Sequence, residues 1–158
     1  MANINKYGSS RTPTFTAAYG NATRLSYSLK TAANGALPNS DVAAPIGAGD
    51  VVRLGTLQAG LRLVDALMIV SVVLAGTAKV GFAYIDGVDS VAVPQKDDYF
   101  SAALALAALG RTRLNNNASA PIILPKDAYL IVTPAAAQTA AGQLDIVVEA
   151  EWIGNINT

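Results

Sequence analysis

A hydrophobic period of two runs through most of the chain from residue 24 onward. In Arg24-Leu25-Ser26-Tyr27-Ser28-Leu29-Lys30 the odd positions are apolar and the even ones polar, the signature of a half-buried strand. Residues 31–49 carry Asn34-Gly35, Pro38, Pro45 and Gly47, which read as a long loop. Asp50–Leu57 (DVVRLGTL) predicts a second strand, closed by a turn at Ala59-Gly60. From Leu63 to Leu74 the even positions are Val64, Ala66, Met68, Val70, Val72 and Leu74, while Asp65 and Ser71 interrupt the odd ones. That spacing predicts a strand with one fully buried face, the even one. After Gly76-Thr77, Lys79–Ile85 places Val80, Phe82 and Tyr84 on one face. The short gap between these two runs predicts a hairpin, ended by Asp86-Gly87.

Residues 97–110 satisfy two templates. Asp97 or Asp98 suits a helix cap, Phe100 and Leu104 are four apart, and Gly110 suits the position after a helix. Phe100, Ala102, Leu104 and Leu106 also alternate. The alanine content favours a short helix or irregular segment here. Beyond the Asn115-Asn116-Asn117 loop, Pro121–Leu124 and Asp127–Thr133 read as strands. Gln143–Trp152 alternates without a break: Leu144, Ile146, Val148, Ala150 and Trp152 face one way, Asp145, Glu149 and Glu151 the other. Seven or eight strands punctuated by Gly, Pro and Asn predict an all-β fold, an antiparallel two-sheet sandwich of the jelly-roll kind, because each sheet must bury its apolar face on another. Residues 24–158 form that domain. Residues 1–23 hold no sustained period, which a disordered tail would also explain; Tyr7, Phe15 and Tyr19 punctuate the polar stretch and favour an extended N-terminal arm that docks on a partner or neighbouring subunit.

Composition narrows the role. A chain of 158 residues suits one domain. Apolar residues make up 52% and charged residues 14%, against about 25% charged in ordinary soluble domains. Either another protein covers part of the surface, or alanine inflates the apolar count. Lys+Arg and Asp+Glu are 11 each, which removes the positive footprint of a nucleic-acid binder and favours association. With neither cysteine nor histidine, disulfides, thiolate zinc sites, cysteine nucleophiles and histidine acid–base chemistry are excluded. The longest uncharged apolar run, Ala66–Ala78, is shorter than the ~20 residues that span a bilayer, so no membrane role is expected.

Only carboxylates remain as candidate chemistry. Asp86-Gly87-Val88-Asp89 has the look of a calcium-loop fragment but lacks its further acidic positions, and Asp-Gly is a common turn. Asp97-Asp98 point apart on a strand. Glu149 and Glu151 share a face roughly 7 Å apart from two residues of strand rise, a spacing that carboxylate pairs of glycoside hydrolases use; a solvated strand face explains them more simply. No catalytic, metal or cofactor site is expected. Arg111 and Arg113, flanking Thr112, are candidate contacts to an acidic partner surface.

The stretch Val52-Arg53-Leu54-Gly55-Thr56-Leu57-Gln58-Ala59-Gly60-Leu61-Arg62-Leu63-Val64-Asp65, with Val80-Gly81-Phe82-Ala83-Tyr84-Ile85-Asp86-Gly87, Asp98-Tyr99-Phe100 and a last strand near the C-terminus, resembles small jelly-roll capsid decoration (cement) proteins of tailed bacteriophages. The resemblance covers residues 50–152. It implies a non-enzymatic virion protein, made in the host cytoplasm, that sits on the capsid surface and stabilises the shell by bridging major capsid protein subunits. The implied partners are the major capsid protein and further copies of itself, as dimer or trimer, with no direct nucleic-acid contact. The contact residues would be Tyr7, Phe15, Tyr19, Arg111 and Arg113. The competing reading is a receptor- or carbohydrate-binding β-sandwich module of a phage head or tail fibre.

Overall fold

The computed structural model describes residues 2–5, 22–114 and 116–154. Among these it forms β1 (Asn3–Asn5), β2 (Ala22–Thr31), β3 (Val51–Leu57), β4 (Leu61–Val72), β5 (Thr77–Tyr84), β6 (Lys96–Ala105), β7 (Gly110–Leu114), β8 (Ile122–Ile123), β9 (Ala128–Pro134) and β10 (Gly142–Trp152), and no helix. One sheet has the order β1-β3-β9-β5-β6 and the other β2-β10-β4-β7, with β8 pairing beside β7 along β4.

Without β1 and β8, the strands form one nested antiparallel hairpin: β2 with β10, β3 with β9, β4 with β7, β5 with β6. Rolling that hairpin up brings β10 against β4 and β9 against β5. The result is a jelly roll. Consecutive principal strands therefore change sheet, except β5 and β6. This overturns the expected hairpin between β4 and β5: the turn at Gly76, with φ of 71°, carries the chain from one sheet to the other.

The core lies between the sheets, and β10 alternates as the sequence pattern requires, with Leu144, Ile146 and Val148 fully buried. Burying one such side chain contributes about 1.5–3 kcal/mol. In β4 the expected single buried face is wrong. Glu149 pairs with Asp65 and Ala150 with Leu63, so Val64 is an extra, unpaired residue. Such a bulge reverses which parity points inward. Leu61 and Leu63 face the core before it, Ala66, Met68 and Val70 after it, and Val64 is 52% exposed.

Residues 97–110 are likewise not helical. They supply β6 and the start of β7. The edge of β5 offers their backbone partners, and that outweighs alanine's helix propensity. Tyr99 and Phe100 are both buried, each edge-on to a neighbouring ring: Phe82–Tyr99 at 5.5 Å and Tyr99–Phe100 at 4.8 Å between centroids. The β5–β6 register shifts twice, and β6 enters across Gly81, where a Cβ would stand 2.1 Å from the Lys96 carbonyl oxygen.

The strand directions gather loops 32–50, 73–76, 106–109 and 135–141 at one end of the sandwich, and 58–60, 85–95 and 116–127 at the other. The expected arm divides: Asn3–Asn5 belong to the sandwich as an edge strand with Ile4 completely buried, β2 starts at Ala22, and residues 6–21 lie outside the described residues.

Candidate functional site

The carboxylates are engaged in ion pairs and turns, as surface groups are. Glu149 pairs with Arg24 at 2.9 Å and Glu151 with Arg62 at 3.5 Å. Both glutamates sit on the outer face of β10, each beside its cross-strand arginine, and line an open recess of about 500 Å³ with Thr23, Arg24 and Val64. Asp97 pairs with Lys79 at 3.0 Å; its hydrogen bond raises the Lys79 pKa above the ordinary lysine value. Asp98 lies 3.7 Å from Lys96. Among the described residues no group of three or more potential ligands could hold a metal ion.

The segment Asp86-Gly87-Val88-Asp89 is a braced turn. Asp86 accepts the Val88 N–H at 3.0 Å and pairs with Lys126 at 2.8 Å. The Lys126 hydrogen bond, then that of Val88, holds its carboxyl below the usual carboxylate range. Lys126 also donates to the Val88 carbonyl at 2.6 Å and lies 4.8 Å from the Tyr84 ring centroid. Asp89 accepts the N–H groups of Ser90 and Gln95 at 2.8 and 2.7 Å, and the Tyr84 hydroxyl donates to the Val93 carbonyl at 2.5 Å. These bonds fix loop 85–95 while leaving Val88 61% and Val91 fully exposed. Behind the loop, Ala92, Val93, Pro94, Tyr99, Ala120 and Ile122 line a largely apolar recess of about 300 Å³. Burying two valines inside would have favoured the fold; here both stand in water on a hydrogen-bonded loop.

Arg111 and Arg113 are exposed on β7, opposite Ile69 and Leu67 of β4. Arg113 reaches Asp65 at 2.5 Å and so pins the β4 bulge, where Asp65 also accepts the Ala66 N–H at 2.9 Å. Arg111 forms no ion pair with a described residue. The structure thus brings the two arginines together on one edge strand, and of the two only Arg113 pairs with a described carboxylate. Tyr7, Phe15 and Tyr19 lie outside the described residues. Sequence reasoning did not single out Val88 and Val91; the signal available was two valines inside a polar Asp/Gly/Ser turn, where no period of two explains them.

Solved structures share this architecture over nearly its whole length. A chain in the capsid of Ralstonia phage GP4 aligns with a TM-score of 0.64 at 19% identity, covering 95% of this chain and 97% of its own. A chain of the cyanophage Pam1 capsid asymmetric unit aligns at 0.56 with 11% identity, covering 84% and 85%. At these identities the likeness is one of fold. No family model matches the chain, and no curated protein matches it.

Proposed function

We propose that this chain is a structural protein of a tailed-phage virion that decorates the icosahedral capsid and stabilises it by bridging major capsid protein subunits. The observation that carries the reading is the end-to-end likeness to a chain of the Ralstonia phage capsid: 97% of that chain is covered, so the whole jelly roll corresponds and not a fragment within a larger machine. The other features fit. A bridging protein needs a rigid sandwich and exposed apolar contacts rather than an active site. Zero formal charge removes the self-repulsion that would oppose dense packing of many copies. The braced loop 85–95, with Val88 and Val91 outward, is the surface we assign to the shell; Arg111, which pairs with no carboxylate among the described residues, supplies a cation for an acidic patch.

Adding the purified chain to capsids stripped of accessory proteins tests this. Saturable binding, density on the outer surface by cryo-electron microscopy, and a higher temperature of shell disruption are expected. A chain found only in tails, or absent from virions, overturns the proposal, and a specific saturable hit on a glycan array would replace it with the carbohydrate-binding reading.

A further inference from the structure

Residues 2–5 occupy a site built for them on the outer edge of β3. Asn3, Ile4 and Asn5 pair in parallel with Val51, Val52 and Arg53, and Ile4 is 0% exposed. The Val51 N–H donates to the Ala2 carbonyl at 2.9 Å, and the Ala2 N–H to Asp50 Oδ1 at 2.7 Å. Asn5 is held on every polar atom. Its N–H donates to Asp41 Oδ1 at 2.8 Å, its side-chain amide donates to the same carboxylate, its Oδ1 accepts from Arg53 Nη1 at 3.0 Å, and its carbonyl accepts the Asp41 N–H at 3.2 Å. The Asn5 backbone bond, followed by its side-chain bond, lowers the Asp41 pKa.

Each of these hydrogen-bond partners lies between Asp41 and Arg53, and none belongs to β2, the strand that follows in sequence. The socket therefore recognises an Ala-Asn-Ile-Asn strand whatever chain supplies it. We propose that the β3 edge is an acceptor for Ala2–Asn5 of a second copy, so that crowded copies become linked by exchanged N-terminal strands. Exchange replaces every contact with an identical one, which makes swapping a low-cost route to assembly. A fully extended chain of the length of residues 6–21 reaches about 55 Å, well beyond the roughly 10 Å that separates packed sheets. Local concentration then decides between a strand from the same chain and one from a neighbour. An unfilled β3 would also be an open sheet edge, which proteins avoid. The proposal goes beyond the capsid reading and does not depend on it.

The chain contains no cysteine, so introduced thiols report cleanly. Asn3 and Val51 are register partners. Full-length Asn3→Cys protein is mixed with Val51→Cys protein, concentrated, and oxidised. Exchange yields a covalent dimer whose peptide map joins position 3 of one chain to position 51 of the other, in a share that rises with protein concentration. Adding Ile4→Asp to the Asn3→Cys chain abolishes it. In the same experiment the double variant Asn3→Cys/Val51→Cys closes a disulfide within one chain when dilute. A double variant that closes internally at every concentration, with no 3–51 link in the mixture, overturns exchange. A double variant that never closes overturns the socket itself.

Discussion

The two ends of the sandwich are built differently. At the end formed by loops 32–50, 73–76, 106–109 and 135–141, the loops hold one another. Gln138 is only 2% exposed: its side chain accepts the Ala75 N–H at 2.8 Å and donates to the carbonyls of Ala75 and Ala136, while its N–H donates to Ile46. Leu74 donates to Leu106, and Leu106 to Gly76. At the opposite end, loop 85–95 is braced chiefly by its own side chains, Tyr84 and Lys126, and stands in front of an open recess. The first end closes the core, and the second presents a hydrogen-bonded loop to solvent. Exposure alone does not separate them, since Val72, Val73 and Leu109 are also exposed at the sealed end. What separates them is where the buried hydrogen bonds lead.

Matched glycine substitutions give the largest expected contrast. Gly35 and Gly87 both have positive φ, 81° and 70°. A Cβ on Gly35 would stand 1.9 Å from the Gln138 carbonyl oxygen, whereas one on Gly87 meets nothing within 4 Å. Gly35→Ala should cost about 3–5 kcal/mol, combining backbone strain with overpacking, and Gly87→Ala about 1 kcal/mol. Urea midpoints read the difference; equal losses would erase the contrast between the ends. Next in size is Gln138→Leu, which leaves the Ala75 N–H and carbonyl without these partners and should cost about 2–3 kcal/mol in the same assay.

Between the ends, Tyr27 of β2 ties the sheets together by donating to the Thr56 carbonyl of β3 at 2.6 Å. Tyr27→Phe should cost about 1 kcal/mol. Burial pushes the Tyr27 phenol well above its ordinary value of 10.0. The unfolded chain ionises near that value while the fold retains the proton. The contribution is therefore fully present below about pH 10 and lost as pH rises beyond it. Tyr27→Phe should flatten, without abolishing, the alkaline fall in stability, because burial also raises Tyr84 and Tyr99. The smallest effect on stability is expected at Val91→Asp, within about 0.5 kcal/mol for a fully exposed position. On stripped capsids, however, it should weaken binding about tenfold or more, while Val73→Asp at the sealed end leaves binding unchanged. The reverse order would assign the shell contact to the wrong end.

How legible the fold was depended on strand regularity. β2, β3, β9 and β10 were readable within two residues of their ends because their alternation is nearly unbroken, and β10 sits between β2 and β4 where one face must be dry. β4 was found but its facing was misread before Asp65, since a bulge is created by pairing with β10 and leaves no mark in the hydrophobic pattern except a valine of the wrong parity. β6 carried helix-favouring alanines, and the free edge of β5 decided against them. β7 went unread because four of its five residues are exposed. β1 was hidden because its one apolar residue, Ile4, has no period to belong to. Of the candidate contacts, Arg113 proved to be spoken for by Asp65, which no linear spacing of 48 residues announces.

Sequence by itself determined the all-β class, most strand positions and the absence of cysteine- and histidine-based chemistry, because these rest on local periodicity and residue identity. Tertiary structure alone decided that neighbouring strands change sheet, that Val64 points to water, that hydrogen bonds brace loop 85–95 with Val88 and Val91 outward, and that Ala2–Asn5 fill a socket on β3. Each of these depends on hydrogen bonds and contacts between residues tens of positions apart, and such pairings become visible only when the chain has folded.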